Sequence, residues 1–367
     1  MRHRNSGRQM LLAACLGTLG VAAQAEPARY ECRYLVDRSG ADGAVPLSIN
    51  QRGEVVGFAG ITTPWGFQAV IWKPNGHQHA LPGLVADSGL TVASDVNDKG
   101  QAVGHGDGKA GNIRAIGWKK DEPARILPPL NGGALRGAAT AINNAGDIVG
   151  FSDAAEATEI DHATLWRDGL AVDLGTLGSR AGQLQRASRA TDINEAGVIV
   201  GESELPGVDG VHAVRWDTPK RIVDLGTLPG DGTSSAQAVN LSGTAVGYSE
   251  TAFVSRLPVA WPASGIRALG LPPGHLNGEA WGVNDHDVVV GDSAMTGIAP
   301  HAVVWFGLDA EPALLDDLVD GGCIDAAGRS HQLTRAYAIN NSGTIAAMSR
   351  AYQNGQFVTT TFKLTPH

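Results

Sequence analysis

The chain is poor in sulfur and in charge. Its 367 residues include three cysteines, Cys15, Cys32 and Cys323, too few for a disulfide scaffold or a cysteine-built zinc module. Only 18% of residues are charged, with 28 Lys and Arg against 37 Asp and Glu. The net charge of −9 repels phosphate backbones and anionic lipid, so nucleic acid and membrane surfaces are not expected partners. Glycine is abundant, at 49 residues, but without a Gly-X-Y period, which excludes collagen and points to tight turns between short strands. No phosphate-binding glycine loop, zinc motif or nucleophile elbow occurs. No cofactor, metal site or catalytic residue is therefore assigned.

Long apolar runs are also missing, apart from Leu11–Ala23. That run follows Arg2, Arg4 and Arg8 and precedes the small residues Ala23 and Ala25 flanking Gln24. This is the pattern of a secretory signal over residues 1–25, cleaved before Glu26, and it predicts a periplasmic or secreted protein. The apolar run is too short for a membrane anchor. A lipoprotein reading of Leu12-Ala13-Ala14-Cys15 has too few apolar residues ahead of Cys15. With Cys15 removed, Cys32 and Cys323 remain, and an even count in an oxidising compartment predicts one disulfide.

What the sequence does contain is a repeat. A β-branched residue and Asn recur at Asn50, Asn97, Asn143, Asn194, Asn240, Asn284 and Asn340. Three residues later stands Gly53, Gly100, Gly146, Gly197, Gly243 and Gly343, with Asp287 in the sixth copy. Asn opens a turn by bonding its own backbone, and the fourth position must accept positive φ, which Gly does freely and Asp tolerates. A short apolar strand follows, ending in Gly57, Gly104, Gly150, Gly201, Gly247 and Gly291, with Ala347 in the seventh copy. Trp72, Trp118, Trp166, Trp216, Trp261 and Trp305 then close a third strand, and Phe362 holds that place in the last copy. A fourth strand is clearest at Asp173-Leu174-Gly175 and Asp224-Leu225-Gly226.

Seven such units, over approximately 45–91, 92–137, 138–187, 188–234, 235–278, 279–334 and 335–367, predict an all-β, seven-bladed propeller spanning 26–367. The seventh copy ends soon after Phe362 and lacks its fourth strand, whereas Tyr30 to Asp37 is a spare one. Leu35 precedes Asn50 by the 15 residues that separate Leu225 from Asn240 and Leu269 from Asn284. The spare strand is therefore expected to complete the last blade and close the ring. Cys32 on that strand and Cys323 in the connection to the last blade would fasten the closure.

His162-Ala163, His212-Ala213 and His301-Ala302 each stand four residues before a repeat Trp, and Asp-Leu-Gly-Thr-Leu follows at Asp173–Leu177 and Asp224–Leu228. With the Asn turn, these segments resemble the HAF repeat, a bacterial extracellular repeat. The resemblance covers nearly all of the mature chain and is strongest in the third and fourth copies. Gln68, Arg114, Leu257 and Val358 replace the His elsewhere. It implies export and a propeller-like fold, and no activity.

Read for chemistry, the repeated His residues sit too far apart to share an ion and are expected to bond a neighbouring strand. The register Trp residues are expected to pack between blades. Trp65 and Trp281 fall outside that register, and Trp281, on a first strand that would line the channel, is the better surface candidate. Asn143–Asp147 lacks the acids of a calcium loop. Asp316, Asp317, Asp320 and Asp325 crowd the longest insertion and form a second candidate surface. The expected function is a non-catalytic, monomeric binding or scaffold propeller for a protein or glycan outside the cytoplasm. The alternative is a propeller enzyme, a polysaccharide lyase or glycoside hydrolase working at the channel mouth.

Overall fold

The computed structural model describes residues 28–36, 43–61, 66–84, 90–107, 112–120, 122–130, 136–153, 160–178, 187–207, 210–219, 221–251, 255–353 and 356–367. Residues 1–25, the expected signal segment, and Trp65 lie outside the described residues. Seven four-stranded antiparallel sheets follow one another as blades of a ring. Blade 1 runs Ala44–Ile49, Val55–Ile61, Gly66–Trp72 and Gln78–Ala80, and its order, innermost strand first, recurs in blades 2 to 6. Blade 7 takes Arg335–Ile339, Ile345–Gln353 and Gln356–Pro366 from the carboxyl end and Tyr30–Tyr34 from the amino end. Tyr30 pairs with Pro366 and Tyr34 with Phe362, so the spare strand does supply the missing one.

The turn chemistry explains the repeat. Gly53, Gly100, Gly146, Gly197, Gly243 and Gly343 all have positive φ, and Asp287 takes the same conformation at φ 56°. The second glycine answers a different demand. The first strand of every blade carries a bulge, which brings its backbone against the second strand. A Cβ at Gly104 would overlap the Val92 carbonyl oxygen.

Each turn Asn also reaches its neighbour. The Nδ2 of Asn50 donates to the Asn97 carbonyl, Asn97 to Asn143, Asn143 to Asn194, Asn194 to Asn240, Asn240 to Asn284, Asn284 to Asn340, and Asn340 back to Asn50, at 2.8–3.3 Å. This is a closed circle of seven side-chain bonds, all buried. A second, outer circle links the residues just after each Asn, backbone amide to the next side chain, from Gln51 to Asp98, Asn144 and Glu195, and from Leu241 to Asp285, Asn341 and back to Gln51. It breaks between Glu195 and Leu241, because leucine has no acceptor. Leu241→Asn is expected to complete it and raise stability by about 0.5–1 kcal/mol, the net value of one hydrogen bond. Thermal melts of the two proteins at equal pH check this, and a lower Tm for the variant would contradict it.

The core lies between blades rather than inside them. Val149, Ala163 and Leu165 of blade 3 pack on Ala190, Ile199, Val214 and Trp216 of blade 4. The register Trp residues are all buried, from Trp72 to Trp305, but Phe362 does not hold their place in blade 7: there Leu364 pairs with Ile345 as Trp72 pairs with Val55, and the buried Phe362 pairs with Ala347, two positions earlier on the strand. The indole of Trp72 donates to the Val36 carbonyl, Trp118 to Pro82, Trp166 to Pro128 and Trp305 to Gly270, so these four rings also tie their blades to the loop of the previous one, while the buried indole N–H groups of Trp216 and Trp261 have no partner among the described residues. The repeated His residues act locally. His162 bonds Asp173 and His212 bonds Asp224 within their own blades, and those carboxylates accept the amides of Gly175 and Gly226. His301 meets Gln332 instead.

Cys32 and Cys323 form a disulfide with Cα atoms 5.3 Å apart, joining the closing strand to the short hairpin of Cys323–Ile324 and Ser330–His331. A disulfide fits an oxidising, extracytoplasmic setting. No described helix is long and apolar enough to cross a membrane.

Candidate binding site

A repeat fold makes the same demand at the same place in every blade, so departures from the repeat reveal other demands. The residues five before and eight after each turn Asn pair across the first two strands, at the channel end opposite the Asn turns. Blades 1 to 3 place Val45 with Phe58, Val92 with His105 and Ala138 with Phe151. Blades 4 to 7 place Arg189 with Glu202, Ser235 with Tyr248, Glu279 with Asp292 and Arg335 with Met348. Apolar pairs suffice in blades 1 and 3, so the polar residues at these positions are not required by the fold. At the bulge three residues before the Asn, Trp281 and Tyr337 stand where blades 1 to 5 have Leu47, Ser94, Thr140, Thr191 and Gln237.

These departures form one connected group. The Arg335 guanidinium lies 4.7 Å from the Trp281 ring centre and 5.5 Å from that of Tyr337. Its Nε donates to Asp292 Oδ1 at 2.9 Å, and the same oxygen takes the Trp281 indole N–H. Asp292 pairs across the strands with Glu279, which binds Arg256. Arg256 also binds Glu250 at 2.8 Å and lies 4.2 Å over the Tyr248 ring. A related unit stands in blades 3 and 4, where Arg189 lies 4.9 Å over Phe151 and is held by the buried carboxylate of Asp161. Stacking on one face and a carboxylate at one edge fix each guanidinium in place.

The electrostatics match this packing. Burial pushes the Asp292 carboxyl above its ordinary range and outweighs Arg335 and the Trp281 indole, while Glu279 adds to the rise. Burial likewise raises the Tyr248 phenol. Arg335 and Arg256 are desolvated, yet their carboxylate partners hold both firmly protonated.

The other end of the channel is acidic. The Asn turns enclose a cavity of about 380 Å³ lined by Asp95, Asp98, Asp192, Glu195 and Asp285. Asp95 and Asp192 occupy the position held by Ser48, Ala141, Ala238, Gly282 and Ala338 in other blades. Asp95 accepts from Ser48 at 2.5 Å and from the Ile142 amide at 2.8 Å, and Asp192 from the amides of Ile193 and Val239. Burial, then the charge of Asp95, raises the Asp192 carboxyl from 3.8 to about 7. A raised carboxyl favours folding at low pH, and that contribution is lost as pH rises through about 7. The melting temperature is therefore expected to fall from pH 5.5 to pH 8, and Asp192→Ala to flatten the fall. Equal slopes in both proteins would contradict this assignment. Among the described residues no group of His, Cys, Asp or Glu converges as metal ligands do.

Of the residues singled out from the sequence, Trp281 lies in the polar arc. Asp316, Asp317 and Asp320 do not join it. They lie at the ring closure, on and just after the short helix Leu315–Leu318. Asp316 accepts the Leu333 amide at 3.0 Å, and burial raises its carboxyl. The Asp317 carbonyl accepts Arg29, and Asp320 binds Arg29 and His367 at the two chain ends. Asp325 is held by Arg329 and His331. Arg335, Tyr337, Asp292, Glu279, Tyr248 and Arg256 were missed. Comparing the seven copies column by column at the positions five before, three before and eight after the Asn would have found most of them, as polar or aromatic residues where blades 1 and 3 have small or apolar ones.

This geometry defines a seven-bladed β-propeller with a uniform, self-linking turn ring at one end of its channel and a one-sided polar and aromatic arc at the other. No family model and no curated protein matches the chain. Solved propellers resemble it in fold. TolB from Acinetobacter baumannii is 12% identical, covering 86% of this chain and 80% of that one, with a TM-score of 0.42. A gluconolactonase from Xanthomonas campestris is 13% identical, covering 73% and 83%, at 0.37. The six-bladed fucose-recognising lectin of Aleuria aurantia is 14% identical, covering 74% and 94%, at 0.38. These likenesses concern the fold alone.

Proposed function

We propose that this chain is an exported, non-catalytic binding propeller of the HAF-repeat kind, and that it holds a protein or glycan partner at the arc of Trp281, Arg335, Tyr337, Asp292, Tyr248 and Arg256. The observation that carries this reading is the clustering of Trp281, Tyr337 and Tyr248 with the stacked Arg335 and Arg256 in blades 5 to 7, against the apolar pairs of blades 1 and 3 and a bulge position without an aromatic in blades 1 to 5. Rigid aromatic and Arg anchors are the residues that dominate binding surfaces. The His–Asp bonds of blades 3 and 4 give the repeat motif a structural role and leave the arc as the part that differs.

The test is capture from the native exported fraction together with a glycan array, with wild-type protein and the double variant Trp281→Ala, Arg335→Ala. Loss of retained partner by tenfold or more, with an unchanged circular-dichroism spectrum, is the expected result. Equal capture by both proteins would remove the arc from the function.

One observation favours an enzyme as the second reading. Asp95 and Asp192 are two carboxylates on the channel wall, and burial, then the charge of Asp95, raises the Asp192 carboxyl. An acid held protonated near neutral pH suits a polysaccharide-cleaving role. Release of reducing ends or of unsaturated products from polysaccharides, abolished by Asp192→Ala, would establish it.

A further inference from the structure

We infer that the arc takes an uncharged pyranose ring of a glycan, set against Trp281 and Tyr337 and hydrogen-bonded by Arg335 and Arg256. This rests on the proposed binding role and names the ligand class. The first argument is the supply of donors. Arg335 directs Nε to Asp292, and its Nη1 stands 3.4 Å from the Tyr337 hydroxyl. Arg256 directs Nε to Glu250 and Nη1 to Glu279. Among the described residues nothing accepts from Nη2 of either side chain. Both arginines are partly exposed, with 29% and 39% of the side chain accessible, so each holds, at a solvent-accessible place, a fixed donor without a protein acceptor among the described residues.

The second argument is charge. Two guanidiniums here meet three carboxylates, Glu250, Glu279 and Asp292. An anionic ligand would enter a group already net negative. A cationic one would find each of these carboxylates already bound to arginine. A sugar hydroxyl needs no free carboxylate and carries no charge, because it accepts from Nη2. The third argument is shape. Trp281 and Tyr337 lie 6.0 Å apart with their planes at 49°, both half-buried, and Arg335 stacks on them, so the C–H side of a ring would meet the aromatic surface beside the guanidinium.

Calorimetric titration of the full chain tests this, with neutral hexasaccharides of glucose, mannose and xylose, an acidic galacturonate hexamer and a hexalysine peptide. A neutral hexasaccharide is expected to bind saturably, with an affinity insensitive to salt. Arg335→Lys, which keeps the charge and loses the Nη2 edge, should weaken it at least tenfold, and Trp281→Ala should do the same. Preference for the acidic hexamer or the peptide, weakening with salt, would overturn the neutral-sugar assignment. If none of the sugars binds while Trp281→Ala, Arg335→Ala still abolishes partner capture, the sugar class falls and the binding arc stands. If capture survives that double variant, the arc itself falls.

Discussion

Reduction of the Cys32–Cys323 disulfide is expected to lower the stability of the ring by about 2–4 kcal/mol, a loss of several degrees in melting temperature. The bond joins residues 291 positions apart, so in the unfolded chain it closes a very long loop. Loop-closure entropy grows with length, which places this link at the upper end of the usual range. Its location adds to the effect. Cys32 lies on the strand that completes blade 7, and Cys323 packs with Tyr30, Leu318, Leu333 and Phe362 in the closure core. Without the bond, the closing strand keeps its ladder to Gln356–Pro366, a single bridge from Tyr30 to Val319 and the buried Tyr30 side chain, while the contacts of Arg29 and His367 with Asp320 are exposed and contribute little. Melting with and without reductant, and of Cys32→Ser with Cys323→Ser, checks the expectation. An unchanged Tm in both experiments would show that strand pairing alone closes the ring.

The closure was legible in the sequence because it rests on spacing. Leu35 precedes Asn50 as Leu225 precedes Asn240, and the amides of Leu35 and Leu225 make the same bond, to the Thr361 and Ala213 carbonyls of their third strands. Turn Asn, positive-φ Gly and register Trp were legible for a related reason: each meets a local demand of backbone or packing that recurs seven times. The arc was not legible in that way. Arg335 contacts Asp292 across 43 residues, and Arg256 contacts Glu279 across 23, so no motif of fixed spacing carries them. Trp281 could be picked out singly, as a Trp off register, but its partners come from three blades. The acids of the long insertion looked like a surface patch, because a sequence shows their charge and not the distant Arg29, His367 and Leu333 amide that engage Asp316, Asp317 and Asp320.

The circle of turn asparagines should be the most sensitive feature of the fold to a single substitution. Asn194 accepts the amides of Ala196 at 3.0 Å and Val198 at 2.9 Å and donates to the Asn240 carbonyl at 2.8 Å. Asn194→Ala removes all three bonds in a buried place, at about 1 kcal/mol each plus the desolvation of the groups left behind, so a loss of about 3–4 kcal/mol is expected. Asn194→Asp separates the two roles. The carboxylate keeps both acceptor bonds of the turn, but it replaces the donor with a charge facing the Asn240 carbonyl oxygen. That environment raises its folded pKa above the unfolded value, so the variant's stability is lost as pH rises through the folded pKa and recovers at low pH, where the protonated carboxyl can donate again. Near pH 4 Asn194→Asp should approach wild type, and at pH 8 it should fall toward Asn194→Ala. Thermal melts across that range read both arms. A pH-independent deficit would show that the turn bonds alone carry the contribution and that the blade-to-blade circle adds nothing.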